Sequence, residues 1–198
     1  MNGSATAVHA VRSEDPVLRA AAELFYARGI AAVSVQDIRA RAGASLKSMY
    51  ARYPSKEHLV AAYLRRTHEV WMQELGAAID AAGASTDAAT VTGMREAQIA
   101  AIFTWLKEWF SAPDFAGCGI ANTRGQALGE QARQVVAEHV AQLEQLCTDV
   151  IGQGDGESDR EAGRTLFLLV EGAIATAAAT GDPGFAARAH SAARRVLS

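Results

Sequence analysis

The chain has 198 residues, enough for one or two modest domains and too few for most large enzyme barrels. Hydrophobic residues make up 49% and charged residues 21%, near ordinary globular averages, which excludes wholesale disorder and the collagen-like and disulfide-rich classes. The net charge of -3 hides an asymmetry. From Arg12 to Arg66 ten basic residues face five acidic ones, and from Thr67 onward nine basic residues face seventeen acidic ones. A basic third joined to an acidic remainder suggests one part that meets a polyanion and another that does not.

Alanine supplies 43 positions and proline only 4. The best helix former is abundant and the strongest breaker scarce, so the expected class is all-α. Cys118 and Cys147 lack the spacing of a disulfide framework or a structural zinc site and read as buried thiols in a reducing interior. The first twelve residues lack a signal-peptide pattern, and no stretch approaches 18 apolar residues without charge, so a cytoplasmic chain that enters no membrane is expected.

In chain order, Asp15 and Pro16 read as N-cap and first position of a helix from Pro16 to about Arg28, closed by Gly29, with Leu18, Ala21, Ala22, Leu24 and Phe25 inward. Ser34 and Asp37 form a capping-box pair opening a short helix that carries Val35 and Ile38 inward and stops near Ala42 at Gly43. Ser45 caps a third helix whose exposed first turn is Leu46, Lys47 and Ser48, with Met49 and Tyr50 following. Pro54 ends it, and Ser55 caps a longer helix to about Ile79. Two short helices joined by a tight glycine-containing turn have the helix-turn-helix shape, here spanning 34–53.

The segment from Ala81 to Thr92 reads as a loop. From Met94 the apolar positions, including Trp105 and Trp109, repeat at helical spacing on two faces, predicting a helix buried almost all round. Pro113 and the Gly117-Cys118-Gly119 cluster interrupt the pattern. Leu128 to Val150 then forms an amphipathic helix that includes His139. Gly152 to Gly156 reads as a flexible connector rather than a phosphate loop, because no strand precedes it. Helices over about 161–180, with Leu166, Leu169, Val170, Ala173, Ile174 and Ala177, and over about 184–197, with Phe185, Ala189, Ala192 and Val196, are the expected self-association surface.

The run Ala21-Ala22-Glu23-Leu24-Phe25, then Gly29, Ser34-Val35-Gln36-Asp37-Ile38, Ala42-Gly43-Ala44-Ser45, Met49-Tyr50 and Tyr53-Pro54-Ser55-Lys56-Glu57-His58-Leu59 resembles the N-terminal domain of tetracycline-repressor (TetR) family transcriptional regulators. Gly117-Cys118 with Asn122, Leu169 to Ala173 and Thr180 to Pro183 are similar to one branch of that family. The resemblance implies an all-helical homodimer with a DNA-binding domain over 12–60 and an effector-binding and dimerisation domain over 61–198. On this chain it places Ser34, Ser45, Leu46, Lys47, Ser48, Tyr50, Arg52, Tyr53 and Lys56 at double-stranded operator DNA. Helix N-termini offer N–H groups and positive dipole ends to phosphate, and Lys47, Arg52 and Lys56 add full charges. Arg39 and Lys47 stand where the family usually has small residues.

The implied function is a ligand-responsive regulator, most often a repressor, released from a palindromic operator by a small hydrophobic effector. Trp71, Phe103, Trp105, Trp109, Phe115 and Phe167 are the candidate effector contacts, being bulky and apolar with an occasional N–H donor. No cofactor, metal or catalytic residue is expected. An enzyme has little support, since His-Glu-x-x-His, a nucleophile elbow and a phosphate loop are all missing, the five histidines show no ligand spacing, and His68 beside Glu69 reads as a surface pair. The alternative is a helical small-molecule-binding protein that does not bind DNA, which leaves the basic segment and 34–53 unexplained.

Overall fold

The computed structural model describes residues 13–84, 90–123, 125–152 and 156–197. Among them are eight α-helices, a short 3-10 helix at Ala121–Thr123 and no strand. The helices are α1 (Pro16–Arg28), α2 (Val35–Ala42), α3 (Leu46–Arg52), α4 (Lys56–Gly83), α5 (Val91–Phe110), α6 (Glu130–Ile151), α7 (Glu157–Thr180) and α8 (Gly184–Val196). The chain is all-helical, as its composition predicts. It divides into two compact units, one from residues 13–71 and 118–139 and the other from 72–117 and 140–197. Helices α4 and α6 each run through both.

In the first unit the local signals fold as their chemistry requires. Asp15 accepts from the Val17 amide at the start of α1. Ser34 and Asp37 close a reciprocal capping box on α2, and Ser45 accepts from the Ser48 amide on α3. Gly43 follows α2 with φ of 63°, in the left-handed region that a side chain disfavours. That residue turns the chain from α2 into α3. Ala21, Phe25, Ile38, Met49, Leu59 and Leu64 form the core that holds these helices together.

In the second unit α5, α7 and α8 pack on one another, with Leu106, Leu143, Leu166 and Val170 wholly buried. Gly163 of α7 lies so close to α6 that an added Cβ would sit 2.6 Å from the Thr148 Cα. Both thiols are buried, Cys118 in the first unit and Cys147 in the second. Burial, with Glu171 and Glu144 nearby, pushes the Cys147 thiol up to about 12.

Several expectations change. Helix α4 continues past Ile79 to Gly83, and α5 begins at Val91 behind a Thr90 cap, so the expected loop from Ala81 to Thr92 shrinks from both ends. Most of the expected Gly152–Gly156 connector, residues 153–155, lies outside the described residues. Helix α5 is not buried all round: Ile99, Ile102, Phe103, Leu106, Trp109 and Phe110 are inward, while Glu96, Thr104, Lys107 and Glu108 face solvent. Helix α7 is long and apolar enough by length and composition to cross a membrane. Its Leu166, Val170, Ala173, Ile174 and Ala177 face is buried within the second unit, the pattern of a core helix.

His68 also departs from expectation. It is buried, Glu69 pairs instead with Arg66, and the Nδ1 atoms of His68 and His139 lie 3.1 Å apart. One Nδ1 donates and the other accepts. The His139 ring also meets Trp71 edge to face, with centroids 5.1 Å apart.

Candidate nucleic-acid interface

Helix α3 turns a single side chain inward. Met49 is buried, whereas Leu46, Lys47, Ser48 and Tyr50 are exposed, Tyr50 at 48% and Leu46 at 39%. Ser45 and Ser34 are also exposed, but their hydroxyls already cap α3 and α2, and Ser34 Oγ further donates to Asp37 at 2.6 Å. Hydrogen bonds donated by the Ser34 hydroxyl and the Ser34 amide hold the Asp37 carboxyl below its usual range.

The remaining cationic and phenolic candidates are tied within the first unit. Arg52 Nη1 lies 2.9 Å from Asp15 Oδ1, and Tyr53 Oη donates to Asp15 Oδ2 at 2.6 Å. Burial alone would raise the Asp15 carboxyl. Hydrogen bonds from Tyr53, Arg52 and the Val17 amide outweigh it and hold the group below its usual value. Burial and the same bond raise the Tyr53 phenol. Lys56 Nζ donates to the Ile30 carbonyl at 2.7 Å, joining the first turn of α4 to the segment after α1. Nothing in the sequence marks Asp15 as more than an N-cap, because its partners lie 37 and 38 residues away. Arg39 is half-buried and its Nε donates back along its own helix to Gln36 Oε1 at 2.9 Å.

The aromatic candidates fall into both units. Trp71 is buried in the first against His139. In the second, Phe103 stacks on His190 with centroids 5.5 Å apart, and Trp105, Trp109 and Phe115 form a chain of tilted and edge contacts that includes Phe110. Phe167 is half-buried on α7. A cavity of about 490 Å³ in that unit is walled by other residues, among them Arg95, Ile99, His190 and Arg194. Among the described residues no group of three or more His, Cys, Asp or Glu side chains is placed to hold a metal.

Two short helices with a glycine turn, the second exposing its leading side chains, define a helix-turn-helix protein. Residues 17–63 match the family model for bacterial regulatory proteins of the tetR family. A TetR-family transcriptional regulator from Streptomyces coelicolor is similar at 25% identity, covering 92% of each chain with a TM-score of 0.77. The reduced form of NemR from Escherichia coli shares the fold at 18% identity, with TM-score 0.77 over 92% of this chain and 95% of that one. A TetR transcriptional regulator from Legionella pneumophila does so at 17% identity, with TM-score 0.72 over 94% and 98%. No curated protein sequence matches the chain. The chain carries the TetR-family N-terminal domain and has the fold of that family's transcriptional regulators, which is a fold of DNA-binding regulators.

Proposed function

We propose that this protein is a dimeric, ligand-responsive repressor that occupies a palindromic DNA operator and leaves it when a small hydrophobic effector binds. The observation that carries the reading is the exposure of Leu46, Lys47, Ser48 and Tyr50 on α3, where Met49 is the buried side chain. Such a helix can enter a major groove with its first turn leading. Lys47 is then the side chain with the reach and donors for guanine O6 or N7, and Leu46 suits a thymine methyl. Ser34, Ser45, Ser48 and Lys56 lie at or near helix starts, the usual places of backbone contact, Tyr50 stands exposed further along α3, and Arg52 adds charge.

On this reading residues 12–60 bind DNA and 61–198 hold the effector and the dimer contacts. Leu166, Val170, Ala173, Ile174 and Ala177 are core, so self-association falls to what α7 and α8 leave exposed, including Leu168 at 66% and Val196 at 60%. A two-fold dimer places two α3 helices about 34–36 Å apart, or a multiple of a turn, on one face of the duplex. The effector acts by preferring one separation, since equal affinity for both shifts nothing. Trp71, Phe103, Trp105, Trp109, Phe115 and Phe167 are the proposed effector contacts.

The test is selection of bound sequences from random duplex DNA, followed by titration of the selected site with the Lys47→Ala, Tyr50→Ala double variant. Operator binding should disappear while dimer mass and thermal midpoint stay unchanged. A wild-type protein that enriches no duplex sequence, or a double variant that binds as well as wild type, overturns the reading.

A further inference from the structure

The cavity of about 490 Å³ in the second unit lies between α5 and α8 and has a mixed lining. Ile99, Ala100, Ala193 and Leu197 supply apolar wall, while Arg95 and Arg194 bring a guanidinium from each helix. Its size falls within the roughly 300–1,000 Å³ of ordinary small-molecule sites. Elsewhere in the protein Arg41, Arg52, Arg133, Arg164 and Arg188 are paired with carboxylates. Among the described residues, neither Arg95 nor Arg194 lies within ion-pair distance of a carboxylate. Arg95 Nη1 instead lies 3.5 Å from the Ile151 carbonyl at the end of α6, which directs its side chain without neutralising it.

The local sign is unusual for its surroundings. The chain from Thr67 onward is acidic, yet α8 carries Arg188, Arg194 and Arg195 and no Asp or Glu. Of these Arg188 is neutralised by Asp182, leaving Arg194 at the cavity. His190 also lines the cavity, its ring stacked on Phe103, and burial together with Arg194 lowers its proton affinity, so it offers a neutral donor or acceptor. Glu96 is the opposing charge on the wall. Two arginines with no carboxylate partner among the described residues, and one carboxylate, therefore line the cavity beside its apolar residues.

We infer that the α5–α8 cavity is a binding site for a monoanionic amphiphile, its carboxylate held by Arg95 and Arg194 and its hydrocarbon laid on Ile99, Ala193 and Leu197. A guanidinium matches a carboxylate with two parallel N–H donors, and hydrocarbon placed on those apolar residues leaves water at the same time. A cation would meet two like charges, and a neutral alcohol would leave both arginines without their counter-charge. This site is separate from α3 and does not depend on DNA binding.

The probe is octanoate, titrated calorimetrically into the full chain beside 1-octanol and octylammonium, with light scattering to record assembly mass. Octanoate should saturate at one per chain. Arg95→Gln and Arg194→Gln should each weaken it about tenfold or more, as expected for loss of a charge-assisted contact. Glu96→Gln should strengthen it several-fold by removing the opposing charge. Octanol and octylammonium should bind at least about tenfold more weakly than octanoate. The inference is overturned if octanoate does not saturate, if the arginine variants bind it as wild type does, or if octanol equals it. It is equally overturned if octanoate fails to bind while Arg194→Gln dissociates the assembly, which would assign the cavity to a second copy of the chain.

Discussion

Tyr53, the residue that closes α3, donates its phenolic hydrogen to Asp15, the residue that opens α1, at 2.6 Å. The same carboxylate takes the Arg52 guanidinium and the Val17 amide. One acid thus caps α1 and ties the far end of the helix-turn-helix to the start of that helix. Tyr53→Phe keeps the ring and removes the bond, and a partly buried hydrogen bond to a charged group is worth about 1.5–3 kcal/mol, here toward the lower end because Asp15 is partly solvated. The expected outcome is a lower denaturant midpoint. A midpoint equal to wild type shows that the contact adds nothing.

The same site sets an acid limit. Asp15 has a lowered folded-state pKa, so its contribution is complete above the unfolded value near 3.8 and is lost as pH falls through the lower folded value. Tyr53→Phe and Arg52→Gln should therefore lose their destabilising effect in strong acid, read from denaturant midpoints taken between neutrality and about pH 2. An effect that persists undiminished at the acid end excludes Asp15 as the partner.

His139 predicts a second pH dependence at milder acidity. Burial, and secondarily the His68 ring, lower its pKa from 6.5 to about 4. The unfolded chain takes up this proton below pH 6.5 while the folded one refuses it down to about 4, so stability declines as pH falls across that window. The slope is at most about 1.4 kcal/mol per pH unit for one proton. His139→Leu should flatten urea midpoints between pH 6.5 and 4, and an unchanged slope assigns the dependence elsewhere.

Lys47 and Lys56 separate two roles for a cation. Lys56 Nζ is occupied by the Ile30 carbonyl, whereas Lys47 is exposed on α3. Operator affinity should fall steeply with salt, and Lys47→Ala should reduce the log-log slope by about one if Lys47 meets phosphate, or leave the slope and relax one base preference if it meets guanine. Lys56→Ala should lower the thermal midpoint as well as affinity. Salt-independent binding by the wild type contradicts phosphate contact altogether.

Gly163 tests helix packing away from the interface. An added Cβ meets the Thr148 Cα at 2.6 Å, so Gly163→Ala must separate α6 from α7 locally. Overpacking of this kind costs about 1–3 kcal/mol, outweighing the better helix propensity of alanine. A stabilised variant in urea denaturation would show that the two helices part without cost.

Much was legible in the residues themselves because the deciding interactions span four positions or fewer. The caps at Asp15, Ser34 and Ser45, the turn at Gly43 and the inward Leu18, Ile38 and Met49 follow from hydrogen bonding and helical period alone. The exposed first turn of α3 was equally readable, since its position relative to Met49 is set by 100° per residue. The missed features join residues far apart in the chain, such as Asp15 with Tyr53 and His68 with His139. The sequence of α5 predicts burial all round because alanine and tryptophan satisfy an apolar pattern whether or not a neighbour covers them.

The helical class, the order of helices and the helix-turn-helix motif were therefore written in local chemistry, where each side chain acts on backbone within a turn of itself. Tertiary structure alone decided that Arg52, Tyr53 and Lys56 are engaged with the protein's own oxygens, that Leu166 and Val170 serve the core, and that Arg95 and Arg194 line one cavity. The reason is that charge pairing and desolvation depend on distance in space, and helices longer than thirty ångströms, such as α4 and α6 at about 1.5 Å per residue, bring together residues whose separation in the chain carries no trace of it.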